Sequence, residues 1–323
     1  MKMGILGAGR IAGTMAGTIC KMENVMPWAV ASRSLVKAQK FAKEYGFQRA
    51  YGSYEELVSD PEIDLIYIAT PHSHHYAHMK LCIEHGKPVL TEKSFTQNVA
   101  QAREVLALAE EKGVFVTEAI WTRYMPMRKT LDEILKSGVI GEPYSLYATL
   151  SYPITHKERM VDPALAGGAL LDIGVYAVNF ASMVFGDDLK EVKASAVLTD
   201  RGVDASDSIT LLYRDGKMAV LHSDMRAADN REGAVYGDKG YIIVQNINNC
   251  EEIRVYDSDH NMTARYERPE QITGYEYEVE ACRRAIENHA LECQEMPHAE
   301  TIRIMELMDH IRAQMGVIYP NER

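Results

Sequence analysis

The stretch that most limits what this chain can fold into is GILGAGRIAG, residues 4–13. Gly7-x-Gly9-x-x-Ala12 follows an apolar strand signal and precedes a helical one. Gly7 permits a tight turn, Gly9 lets a pyrophosphate approach the backbone, and Ala12 keeps the helix close to the sheet. The helix start offers free N–H groups, those of Arg10 and Ile11 among them, to the anion. A Gly-rich turn alone is common and can be purely structural. Its place in the first turn of a βαβ series is what points to a dinucleotide.

That series is legible over residues 1–121. Strand signals (MGILG, PWAVAS, DLIYIAT, PVLTE, VFVTEA) alternate with helices over 10–20, 34–46, 74–85 and 98–113. Gly46, Gly86 and Gly113 serve as helix stops, and Asn98 caps the last start. The rhythm predicts a doubly wound parallel sheet of Rossmann type. After residue 123 it changes to helices over 125–137 and 170–185, then successive strands from 190 to 268 with turn-like separators, then helices over 275–288 and 298–315. This predicts an α/β chain with a Rossmann domain over 1–121 and an α+β domain over 122–323, the latter with a large open, mostly antiparallel sheet.

Charge narrows the partners. Against 46 Asp and Glu stand 35 Lys and Arg, a formal net charge of −11 without a basic run, which argues against nucleic acid and anionic membranes. Arg10 and the interspersed glycines break any signal-peptide core, and no stretch reads as the ~18 apolar residues of a membrane span. Five cysteines without a CxxC pair give no disulfide framework and fit a reducing cytoplasm.

An acid usually ends the second strand of such a domain and holds the ribose hydroxyls. Here Ser32 and Arg33 stand in that place. Arg33 can fork a 2′-phosphate, so NADP(H) is expected as the preferred cofactor with NAD(H) possible; otherwise Arg33 is a solvated residue of a tolerant site.

IATPHSHHYAH, residues 68–78, packs four histidines into seven positions. An HxH after a strand also opens some metallohydrolase sites, which recruit further ligands from later strand ends. The next strand end supplies Thr91, Glu92 and Lys93, and an ammonium is a poor neighbour for a divalent cation; no metal is expected. Thr70, Pro71 and His72 fall at the strand end that faces the cleft of a doubly wound sheet. His72 and His75 are pocket candidates, while His74 and His78 read as surface residues.

The GxGxxA turn, ATPHSHH, TEKS, EAIWTRYMP, GGALLDIGVY and GYEYEVEACRRAI together resemble the Gfo/Idh/MocA oxidoreductases over nearly the whole chain, most closely a dihydrodiol dehydrogenase-like branch. The resemblance implies a nicotinamide cofactor, a sugar-, polyol- or diol-like substrate, and a homodimer or higher oligomer formed through the open sheet. It carries the family's Glu-Lys-Pro onto Glu92-Lys93-Ser94, with Ser94 departing from proline, and the family's Asp-x-x-x-His/Tyr onto Asp172 and Tyr176.

The chemistry agrees. Hydride transfer at a carbinol carbon needs a proton moved at its oxygen, and a cation there stabilises alkoxide character. Lys93, at a strand end near the expected cofactor, can supply it. Asp172 and Tyr176, four apart on an expected helix, share a face. Each also has a plain alternative: Lys93 as a solvated strand cap, Asp172 as a helix-start acid, Tyr176 as core. Gly167, Gly168 and Gly174 are expected to admit the cofactor. Trp121, Arg123, His156 and Arg159 are expected at the substrate, Trp121 with core packing as an equal contender. The rival function is an NAD(P)-binding regulator without chemistry.

Overall fold

The computed structural model describes residues 1–322. The chain divides into two compact units, one of residues 1–121 with 271–302, the other of residues 122–270 with 303 onward.

Unit 1 runs β1 (Lys2–Leu6), α1 (Arg10–Ile19), β2 (Met26–Ala31), α2 (Leu35–Tyr45), β3 (Arg49–Tyr51), α3 (Tyr54–Val58), β4 (Leu65–Ile68), α4 (His72–Glu84), β5 (Val89–Glu92), α5 (Val99–Lys112) and β6 (Val116–Ala119). The strands form one parallel sheet ordered β3-β2-β1-β4-β5-β6. Every residue of β4, β5 and β6 is buried, as a sheet covered on both faces requires. The expected caps are present. Asn98 accepts from the Gln101 N–H, and Gly46 and Gly113 close their helices in the left-handed region. The short β3 and α3 were not expected; Ser53 and Glu56 start α3 with a capping box.

Residues 271–302, assigned by sequence to the second domain, belong to unit 1. The reason is an edge. β6 ends the parallel sheet, and its Val116 N–H donates to Leu291 O at 3.0 Å while His298 Nε2 lies 2.8 Å from Val116 O. The returning segment thus satisfies backbone groups that an exposed edge would leave bare.

Unit 2 contains α6 (Pro126–Lys136), β7 (Pro143–Ser151), α7 (Glu158–Val161), a π-turn (Leu170–Gly174) continuing into α8 (Val175–Phe185), then β8 (Leu189–Leu198), β9 (Asp204–Tyr213), β10 (Met218–Asp224), β11 (Glu232–Gly237), β12 (Gly240–Gln245), β13 (Glu252–Asp257) and β14 (Met262–Glu267). α9 (Glu276–Glu287) lies in the segment returned to unit 1; α10 (His298–Met315) runs from that segment into unit 2, and a 3-10 turn (Pro320–Glu322) follows it. The eight-stranded sheet is ordered β14-β13-β12-β11-β7-β10-β9-β8. β7 and β10 pair parallel and all other pairs are antiparallel.

One sequence expectation is corrected here. Pro163–Phe185 does have the length and hydropathy of a membrane span. It contributes the buried run Val175–Ala181 of α8, so its apolarity is that of a core helix in unit 2.

Candidate active site

The nucleotide end of unit 1 is made mostly of backbone. Gly7 sits at φ +105, and a Cβ there would lie 3.1 Å from Ala69 O, so the turn needs glycine. Gly9 has nothing within 4 Å of the Cβ it lacks. It opens α1 without a side-chain cap and without an acid in the first turn. An uncapped helix start facing open space is the cradle that a pyrophosphate needs, so the residues present fit a dinucleotide.

At the end of β2, Ser32 is buried and Arg33 exposed. The Arg33 charge acts on Tyr54, His74 and His78. The two histidines expected at the surface are therefore half-buried instead. His78 Nδ1 is 3.0 Å from Thr70 Oγ1, and its ring stands edge-on to Tyr54 at 4.7 Å. Burial pulls the His78 imidazole down to about 4, with the His74, His75 and Arg33 charges adding to it. Among the described residues no three His, Cys, Asp or Glu side chains converge to hold a metal.

Thr70 and Pro71 follow β4, and Lys93 follows β5. In a parallel sheet these positions and the Gly7–Gly9 turn share the C-terminal edge of adjacent strands. His72 and His75 begin α4 and both are buried. His75 is fully buried, with Nδ1 2.9 Å from Ser94 O and Nε2 2.8 Å from Thr70 O. Burial lowers its pKa, so the neutral ring donates its one N–H to one of the two carbonyls, and at full burial it braces the two strand ends. Lys93 is partly buried and joined to Ser94 by a cis peptide. Behind it Glu92 is buried and accepts from the Tyr67 hydroxyl. Trp121 is buried too, its ring stacked 4.1 Å from that of Tyr275 and its Nε1 without a hydrogen-bond partner among the described residues.

In unit 2, Asp172 and Tyr176 are buried, and Arg159 grips Asp172 with two hydrogen bonds of 2.6 and 3.2 Å. The expected α-helical register is altered, because Asp172 lies in the π-turn and Tyr176 in α8. A π-turn carries more residues per turn, so the four-residue spacing no longer follows α-helical geometry. Arg123 turns into the unit, with Nε donating to Asn179 Oδ1 at 2.6 Å and Nη2 to Ser182 Oγ at 3.2 Å. His156 is exposed.

The glycines expected to admit the cofactor serve unit 2 itself. A Cβ on Gly167 would lie 2.7 Å from Met160 O, and one on Gly168 2.1 Å from Asp204 Oδ1.

Two groups of buried acids escaped the sequence reading. Glu278 of α9 is fully buried, neither oxygen has a hydrogen-bond partner among the described residues, and burial plus the Glu92 charge hold its carboxyl well above the usual range. In unit 2 burial raises Asp204 to about 7. It raises Asp207 to about 8, with the Asp204 charge reinforcing it. Strand periodicity offered a signal for Asp207, since it falls in the inward row with Ile209, Leu211 and Tyr213. Glu278 likewise shares the buried face of α9 with Cys282.

Comparison with known proteins agrees with this arrangement. The family described as an oxidoreductase family with an NAD-binding Rossmann fold matches residues 1–120, and the GFO/IDH/MocA C-terminal domain matches residues 129–243. Trans-1,2-dihydrobenzene-1,2-diol dehydrogenase of Xenopus laevis is 36% identical over 330 residues, covering 99% of both chains. The human enzyme of that name is 32% identical over 333 residues, covering 100% of this chain and 99% of its own. A 3-ketoreductase from Actinomadura kijaniata, solved with NADP and TDP-benzene, superposes with a TM-score of 0.88 at 24% identity over 98% of both chains. With its dinucleotide turn, its eight-stranded mixed sheet and full-length relatives above 30% identity, this chain belongs to the Gfo/Idh/MocA family of oxidoreductases.

Proposed function

We propose that this protein transfers hydride between NADP(H) and a secondary alcohol or ketone of a sugar, polyol or cyclic diol. The observation that carries the reading lies within unit 1, where Lys93 follows β5 at the same sheet edge as the open, uncapped Gly9 turn. A bound nicotinamide would supply or accept the hydride; the remaining work falls to side chains. The Lys93 ammonium stabilises negative charge on the substrate oxygen. Tyr176 gives or takes the proton at that oxygen. Asp172, oriented by Arg159, binds a substrate hydroxyl.

Arg33 in place of an acid favours NADP(H), because a guanidinium forks a phosphate and an acid would repel it. His156 and Arg159, both exposed, are the polar candidates for the substrate's periphery. Trp121 and Arg123 act as walls rather than as free hands, given the stack on Tyr275 and the bonds to Asn179 and Ser182. The ring-diol class is supported by the name of the dihydrobenzene-diol dehydrogenase relatives, and a ketone substrate by that of the 3-ketoreductase.

A homodimer through the open sheet is part of this reading. Tyr147, Met218, Tyr236 and Met262 are exposed on β7, β10, β11 and β14, and Tyr241 stacks on Tyr256 at 4.8 Å. Such a row of exposed aromatic and apolar side chains marks an interaction face.

The test is turnover. Purified protein is mixed with NADPH or NADH and a panel of keto-sugars, aldoses and cyclic dihydrodiols, and dihydropyridine absorbance is followed. The reading expects turnover of at least one ring substrate, faster with the phosphorylated cofactor. Tight NADPH binding without turnover of any substrate would replace it with a regulator that senses the cofactor.

A further inference from the structure

We infer that Asp204 and Asp207 are positioning residues for the proposed reaction. They form a buried carboxyl pair on β9 that supports the π-turn carrying Asp172 and leading into Tyr176, and the pair must keep a proton for that turn to hold its place. The inference rests on the proposed roles of Asp172 and Tyr176.

The π-turn touches this pair at both ends. At its start the Leu170 N–H donates to Asp204 Oδ2 at 2.5 Å, and Gly168 passes so close to Asp204 that no side chain fits. At its end a Cβ on Gly174 would lie 3.0 Å from Ser223 Oγ and 3.4 Å from Asp207 Oδ2. Asp204 and Asp207 are only 1% and 2% exposed, and Oδ1 of each has no hydrogen-bond partner among the described residues.

Little balances their charge. From β10, the Ser223 hydroxyl donates to Asp207 Oδ2, His222 Nδ1 lies 2.7 Å from the Asp207 carbonyl, and Asp224 is occupied by Arg226. From α10, Arg312 acts on Asp204 but is tied to Asp309 and Glu322. Tyr319 gives its hydroxyl proton to Gly167 O at 2.9 Å, fixing the loop before the turn. Asp172, on the turn itself, is held by Arg159. One carboxylate can rest on the Leu170 N–H. A second has the hydroxyl and the backbone N–H of Ser223 and, among the described residues, no cation, so it is kept as the neutral acid; two charges would repel beneath the turn.

Both carboxyls titrate higher in the folded chain than the ordinary carboxylate range. The stability they contribute is therefore full below that range and is lost as pH rises through about 7 to 8.

The experiment uses Asp204→Ala, Asp204→Asn and Asp207→Asn in the full chain, with kcat, NADPH Kd and Tm measured from pH 6 to 9. Asp204→Ala should lower kcat by about 100-fold, the cost of misplacing a catalytic group by about 1 Å, while NADPH Kd stays near the wild-type value. Asp204→Asn, whose amide oxygen still accepts from Leu170, should recover most of the loss. Asp207→Asn mimics the neutral acid, so its kcat should fall at higher pH than the wild type's and its Tm should drop less between pH 6 and 9. The inference is overturned if Asp207→Asn reproduces the wild-type pH curves of both kcat and Tm. It is equally overturned if Asp204→Ala weakens kcat and NADPH binding together without rescue by Asp204→Asn. Should Asp204→Ala not fold, the Asp207→Asn curves decide. Absence of turnover in the wild type would sink the proposed reaction alone, because the Tm curves still test the pair.

Discussion

At the nucleotide end of unit 1 the working surface is backbone: a glycine turn, an uncapped helix start and the ends of three adjacent strands. In unit 2 the proposed reacting side chains stand on a π-turn (Asp172) and on the helix it leads into (Tyr176), with Asp172 gripped by Arg159 and the turn set against Asp204 and Asp207. A backbone site tolerates changes in sequence that leave its space open, and it fails when that space is filled. A side-chain site standing on buried acids depends on proton count as well as on shape. The two regions should therefore break in different ways.

The largest contrast should come from Tyr176→Phe. Loss of the proton-transferring hydroxyl is expected to lower kcat by about 10²–10⁴-fold, with NADPH Kd unchanged when measured by fluorescence titration. A variant that turned over like wild type would reduce Tyr176 to packing. Gly9→Val probes the other region. A side chain there enters open space and the φ of −92 suits any residue, so Tm should hold while NADPH affinity falls about 100-fold as the added bulk blocks the pyrophosphate. Equal losses of Tm and affinity would contradict the cradle.

Arg33→Ala should be selective. Losing a charge-assisted fork of about 1.5–3 kcal/mol weakens NADPH binding roughly tenfold or more and leaves NADH binding alone. A parallel loss for both cofactors would remove Arg33 from the 2′-phosphate. Glu278→Gln gives the smallest effect. Its carboxyl titrates far above the ordinary range, so wild-type stability is greatest below that range and falls as pH rises through the raised value. The amide removes this dependence, and Tm at pH 8 should match or exceed wild type by about 2–4 °C. A uniform loss of Tm at every pH would mean that Glu278 has an unseen partner.

Legibility in the sequence divided along the same line. Strand alternation, the Gly7 and Gly9 turn and the caps at Asn98, Gly46 and Gly113 are local signals, and local rules recover them. Residues 271–302 could not be placed that way, because what draws them to unit 1 is the unfilled edge of β6, a tertiary need. The π-turn was hidden because nothing in LLDIG distinguishes it from an α-helix, and it changes how Asp172 stands relative to Tyr176. Asp207 carried only the signal of its inward strand row and Asp204 none; the close passage of Gly168 and Gly174 reveals what they support. The histidines misled in a different way. Their clustering suggested a site, yet His75 is fully buried between the carbonyls of Thr70 and Ser94.

The central claim is that the strand-end lysine beside the dinucleotide turn does chemistry. Lys93→Met, assayed for NADPH Kd and for single-turnover hydride transfer on the best substrate of the panel, tests it most directly. The account predicts a Kd within about threefold of wild type and a hydride-transfer rate lower by about 10³-fold, the loss typical of removing a preorganised charge from a reacting oxygen. Wild-type transfer rates in Lys93→Met would contradict it.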